Sequence, residues 1–190
     1  MKILPLLVGL VVSISCNLQK ESRFCEIIND TFLQMTDTFA YKYHSFFLIP
    51  GDSMSKDKKS QPLKVCYNEN VISSTRYIEY LIPALKRLHE EEYLKLLGKK
   101  HVSSVMKLPT LCITNKGKYD LISHADTDCN KLDSTYIGSI QFAEPVMNDN
   151  IAVIFMRIIS DQKAGKVTAY LVQKSIDRWT IVKEIVLERN

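Results

Sequence analysis

Apolar and polar positions alternate through the last third of the chain, and that alternation predicts strands. Four runs stand out: Tyr136–Ala143, Ile151–Ile159, Lys166–Lys174 and Trp179–Leu187. Polar stretches at Glu144–Asn150, Ser160–Gly165 and Ser175–Arg178 separate them. Successive side chains of a strand point to opposite faces, so alternation marks a strand with one covered face. Short connections between successive strands favour antiparallel pairing, which predicts a four-strand meander. Ile151–Ile159 departs from the pattern, being apolar at both sets of alternate positions apart from Arg157. Such a strand is expected at the centre of a sheet, covered on both faces.

Upstream the period becomes helical. Phe24, Ile28, Phe32, Met35 and Phe39 recur at steps of three and four, while Glu26, Asp30, Gln34 and Asp37 fall mostly elsewhere. This predicts an amphipathic helix from about Glu21 to about Ala40. A second helical face over residues 73–97 carries Tyr77, Leu81, Leu85, Leu88 and Leu96, with Ser73 or Ser74 as cap and Gly98 as stop. Pro83 lacks an amide proton and crowds the preceding turn, so either a kink or two helices with Pro83 opening the second is expected. Tyr41–Ile49 reads as a strand closed by Pro50-Gly51, residues 51–62 as an exposed loop, and Leu63, Val65 and Tyr67 as a short strand. Leu111–Ile113 and Tyr119–Ile122 read as strands flanking a hairpin turn at Asn115-Lys116-Gly117-Lys118, followed by a polar loop over residues 123–135. The predicted fold class is α+β: N-terminal helices packed on a curved, mainly antiparallel sheet that ends in the four-strand meander. Trp179 is expected to anchor the core beside the last turn.

The longest apolar run does not belong to this domain. Lys2 is followed by Ile3, Leu4, Pro5, Leu6, Leu7, Val8, Gly9, Leu10, Val11 and Val12. A basic residue followed by an apolar stretch is the pattern of a secretory leader. The run falls short of the roughly 20 apolar residues that span a bilayer. Ser13, Ile14, Ser15 and Cys16 follow, with small residues placed for cleavage before Cys16. The same four residues resemble a lipobox, with Ser13 where Leu is usual, and imply acylation of Cys16. The expected organisation is a signal peptide over 1–15, a polar tether over 16–22 and one domain over 23–190. Acyl chains contribute about 0.8 kcal/mol per buried methylene, and two of them hold a protein at a membrane stably. The expected partner is therefore a membrane, reached through the lipid at Cys16, and the expected location is the bacterial cell envelope.

Length and charge narrow the rest. A chain of 190 residues, less its leader, suits one domain with its own core. A net charge of +4 is too mild to argue for nucleic acid. Besides Cys16, the chain carries Cys25, Cys66, Cys112 and Cys129. An even number in an exported protein allows two disulfides in three pairings, or buried free thiols. Their wide spacing matches no zinc pattern, and neither a metal nor a cofactor is expected.

Within the meander, Ser139-Ile140-Gln141-Phe142-Ala143-Glu144-Pro145-Val146, Asn148-Asp149 and Ala152-Val153-Ile154-Phe155 are followed by Tyr170–Lys174 and Arg178–Lys183. This succession resembles a family of uncharacterised lipoproteins common in Bacteroidetes-type bacteria, over roughly residues 136–187. Ser160–Gly165 stands where that family often carries a hairpin rich in cysteine and glycine. The resemblance implies a lipoprotein and implies no activity.

Candidate chemistry is sparse. His124, Asp126 and Asp128 form an alternating cluster beside Cys129, but lack the glycine and distal glutamate of a calcium loop. His89-Glu90-Glu91-Glu92-Tyr93 has tyrosine where a helical zinc motif needs its second histidine. No serine lies in a nucleophile elbow, and no glycine-rich loop is built for phosphate. Two function classes follow. The first is a non-enzymatic binding or interaction module with a protein or small-molecule partner. The second is a small-ligand-binding or hydrolytic domain with a pocket between sheet and helices. Convergent polar groups in such a pocket, for example His44, His89 or His124, would favour the second.

Overall fold

The computed structural model describes residues 19–36, 63–99, 106–108, 110–117, 119–124, 136–159 and 165–189. The leader, Cys16, Cys129, Asp126, Asp128, His44, the strand expected over Tyr41–Ile49 and the loop over 51–62 lie outside the described residues. The fold class is α+β, and the alternating C-terminal runs form the expected meander. Strands β3 (Tyr136–Met147), β4 (Ile151–Ile159), β5 (Gly165–Lys174) and β6 (Trp179–Arg189) pair antiparallel in chain order. Two further strands, β1 (Leu63–Ile72) and β2 (Tyr119–Ser123), extend the sheet to the order β2-β1-β3-β4-β5-β6. β1 runs parallel to both of its neighbours, so the sheet is mixed.

Helices cover both faces. Helix α1, over residues 19–36, buries Phe24, Ile27, Ile28, Phe32 and Met35 against Tyr67, Phe142, Ile154, Met156 and Trp179. Each such side chain contributes about 1.5–3 kcal/mol by leaving water. Phe24 meets Phe142 edge-on at 6.1 Å and Phe32 meets Tyr119 at 6.2 Å, the arrangement that aromatic quadrupoles favour. Helices α2 (Thr75–Leu88) and α3 (Glu91–Leu97) bury Tyr77, Leu81, Leu85, Tyr93, Leu96 and Leu97 on the opposite face, against Ala143, Val153, Phe155, Ala169 and Leu171. β4 lies between the two layers. Its Ala152, Ile154, Met156 and Ile158 face α1, and its Ile151, Val153 and Phe155 face α2 and α3. This strand is covered on both faces, as its continuous apolar run predicts.

Several expectations need correction. Leu111–Ile113 is not a strand, because Thr110–Cys112 forms a short 3-10 turn fastened to α1. The Asn29 side-chain carbonyl accepts from the amides of Thr114 and Asn115, at 2.9 Å each, and from the Thr114 hydroxyl at 2.8 Å. The turn at Lys116-Gly117 exists, with the Tyr119 amide donating to the Lys116 carbonyl at 3.0 Å, but it leads into a strand paired parallel with β1 rather than into a hairpin. Gly117 has φ +55°, so the backbone favours glycine, and a Cβ there would lie 2.9 Å from Leu33 Cδ2, which would have to shift.

Residues 19–22, inside the span expected to be tether, are helical, and Lys20 pairs with Glu144 at 3.7 Å. Helix α2 runs through Pro83, and the break falls six residues later, at His89. Pro83 and Glu79 are both exposed, so the carbonyl that loses its partner can be solvated. His89 adopts a left-handed conformation, φ 57°, and its amide reaches the Lys86 carbonyl while that of Glu90 reaches Leu85. That pair of bonds is a Schellman stop, usually built on glycine. Finally, β3 passes through Glu144-Pro145 to Met147. The register against β4 shifts between Ala143 and Val146, the kind of irregularity where a strand tolerates proline. The turn itself is Asn148–Asn150, closed by the Asn148 side chain accepting from the amides of Asn150 and Ile151 at 2.8 and 2.9 Å.

Candidate functional site

The three described cysteines are all disulfide-bonded. Cys25 on α1 is bonded to Cys112, with 5.1 Å between Cα atoms and a sequence separation of 87. The bond ties α1 to the 3-10 turn beside it. Cys66 on β1 is also disulfide-bonded. Disulfides of this kind persist in oxidising compartments.

The two described candidate histidines, His89 and His124, do not converge. His89 is the left-handed stop of α2. His124 follows β2, its amide bonded to the Tyr67 carbonyl at 2.9 Å, and its side chain lines a hollow of about 210 Å³ with Asn68, Glu69, Asn70, Lys107 and Ser123. Of the cluster His124, Asp126 and Asp128, only His124 is among the described residues, and those residues hold no group of three ligands able to bind a metal ion.

Polar groups converge elsewhere. β4 ends its apolar run at Arg157, and side-chain alternation places Arg157 on the face covered by α2 and α3. Arg157 pairs across the sheet with Val167, and Val167 with Glu188 of β6, so the three form one cross-strand row. The register of β5 against β6 shifts beside this row, leaving Leu187 as an extra residue between Val186 and Glu188. Such a bulge re-aims side chains, and here Leu187 and Glu188 line the same cleft. The first half of α2 overhangs the row with Arg76, Tyr77 and Tyr80, and Arg189 closes the end of β6. The cleft is open to solvent and has a volume of about 570 Å³, within the usual range of small-ligand sites.

The electrostatics of the cleft are one-sided. Three guanidinium groups face one carboxylate among its lining residues. Arg76 Nη2 lies 2.7 Å from Glu188 Oε1, its Nε donates to the Tyr80 hydroxyl at 3.3 Å, and its guanidinium sits 5.4 Å from the Tyr80 ring centroid. The Tyr80 hydroxyl and the Glu188 charge hold the Arg76 pKa above its ordinary value. Arg157 is half-buried, and no carboxylate pairs with it among the described residues. The first turn of α2 carries no acidic residue of its own.

This site was not visible as a motif. Its charged residues come from positions 76, 157, 188 and 189, which only the sheet topology unites. One signal was present: Arg157 interrupts an otherwise apolar central strand. No family model matches the chain, and neither a curated protein nor a solved structure matches it.

Proposed function

We propose that this chain is an exported, lipid-anchored protein of the bacterial cell envelope, acting as a non-enzymatic binding module whose ligand sits in the cleft between α2 and the ends of β4 and β6. The convergence of Arg76, Arg157 and Arg189 on that cleft carries the proposal. The leader, the lipobox-like residues ending at Cys16, and the resemblance of residues 136–187 to envelope lipoproteins support export and anchoring. The Cys25–Cys112 bond supports an oxidising compartment.

Lys20 and Arg23, on α1, pair with Glu144 of β3 and with Asp149 of the β3–β4 turn. Arg157 lies six residues along β4 from Ile151, which follows that turn, a distance of about 20 Å. A lipid on Cys16 would hold the turn end toward the bilayer and leave the cleft facing away from it. Mass spectrometry of the mature N-terminus from bacterial membranes tests the anchor. The expected result is a chain beginning at acylated Cys16. An unmodified Cys16 peptide would overturn the anchoring.

A further inference from the structure

We propose that the cleft recognises a phosphate dianion, either inorganic phosphate or a phosphate monoester borne by a small molecule. The inference rests on the reading of the cleft as the binding site and names its ligand class. Arg76, Arg157 and Arg189 against Glu188 leave two positive charges among the lining side chains. A dianion balances that charge, whereas a single carboxylate leaves half of it. The planar guanidinium fork matches phosphate oxygens in pairs, which distinguishes arginine from lysine in this role.

Arg76 is held in place before any ligand arrives. Glu188 and the Tyr80 hydroxyl fix Arg76 from two sides, at 2.7 and 3.3 Å. Tyr80 accepts from Arg76, so its own proton remains available to a ligand oxygen. Arg157 rises from the floor of the cleft on a strand whose other residues are apolar. Keeping a half-buried cation there, with no carboxylate beside it among the described residues, costs stability unless a counter-ion is supplied. A bound dianion supplies one. The N-terminal end of α2, free of acidic side chains in its first turn, adds a positive field over the same space.

Isothermal titration calorimetry on the purified protein at low ionic strength tests the proposal, with inorganic phosphate, glucose 6-phosphate and succinate as probes. Saturable binding of phosphate or of the sugar phosphate is expected, weakened about tenfold or more in Arg157→Gln and in Arg189→Gln. Lys174→Gln, at the opposite end of the sheet, is expected to bind like the wild type. Thermal melts of each variant check that the fold is retained, and Arg189 at the strand end serves where Arg157→Gln disturbs packing. Tighter binding of the sugar phosphate identifies a monoester as the ligand, and equal or weaker binding identifies the free anion. Saturable succinate binding that is lost in Arg157→Gln, without phosphate binding, overturns the phosphate assignment and leaves the cleft as a binding site. Binding of no probe, or phosphate binding unchanged in both arginine variants, overturns the phosphate assignment together with the cleft.

Discussion

The two faces of β4 are built for different purposes, though they belong to the same nine residues. Toward α1 the strand offers Ala152, Ile154, Met156 and Ile158, and packing continues to its end. Toward α2 and α3 it offers Ile151, Val153 and Phe155, and then Arg157. The first face is closed and fastened. Besides its apolar core and the Cys25–Cys112 bond, α1 holds the edge strand, with Asp30 accepting from the Trp179 amide at 2.8 Å and Gln34 from the Ile181 amide at 3.4 Å. Edge amides satisfied in this way are withdrawn from pairing with another chain. The second face is closed over most of its length and open at one end. A sheet with one sealed face can leave part of the other face polar without losing its core.

That contrast can be broken by substitution. Phe32→Ala or Phe24→Ala should destabilise the protein by about 3–5 kcal/mol in denaturant unfolding, because either change leaves a cavity under α1. Neither should weaken anion binding while the protein remains folded. Replacing Cys25 and Cys112 together by serine should cost about 2–5 kcal/mol, read in the same way, and should also spare the cleft. Loss of anion binding in either case, with the fold intact, would show that the two faces are coupled.

The buried phenols sharpen the comparison by pH. Burial, with Glu90 and Glu92 nearby, pushes the Tyr93 pKa up to about 12, and burial pushes those of Tyr67 and Tyr170 up as well. The Tyr67 hydroxyl donates to the Leu108 carbonyl, and that of Tyr93 to the Val172 carbonyl at 3.2 Å. An unfolded phenol titrates at about 10. The stability held by these groups is therefore complete below about pH 10 and is lost as pH rises through the folded values. Phenolate absorbance should show native tyrosines that ionise only together with unfolding. A normal titration of all nine tyrosines in the native state would contradict their burial. The smallest expected effect on stability belongs to Arg157→Gln. It should shift the unfolding midpoint little, or raise it slightly, since it removes a half-buried charge with no carboxylate beside it among the described residues.

Much of the closed face was legible in the sequence, because local period reports local burial. The bounds of β4 are those expected, and Phe24, Ile28, Phe32 and Met35 all face the core. Trp179, 1% exposed, anchors the last strand as its place beside the turn suggests. The parallel pairing of β1 with β2 and β3 was not legible, since it joins segments far apart in the chain and leaves no local period. Pro83, and the stretch Glu144–Asn150 with its Pro145, departed from expectation for a related reason. Each breaks a local rule, and solvent exposure or a register shift offsets the cost. The cleft was the least legible. Arg76 and Arg189 look like ordinary surface cations until α2 is laid across the end of the sheet.

The central claim is that binding belongs to the open end of the α2 face. Its most direct test is a phosphate titration followed by amide chemical shifts in nuclear magnetic resonance. The account predicts saturable shifts confined to Arg76, Tyr77, Tyr80, Arg157, Val167 and the residues from Leu187 to Arg189. Shifts centred on Lys174 and Arg178 at the turn end, or spread over surface lysines without saturation, would contradict it.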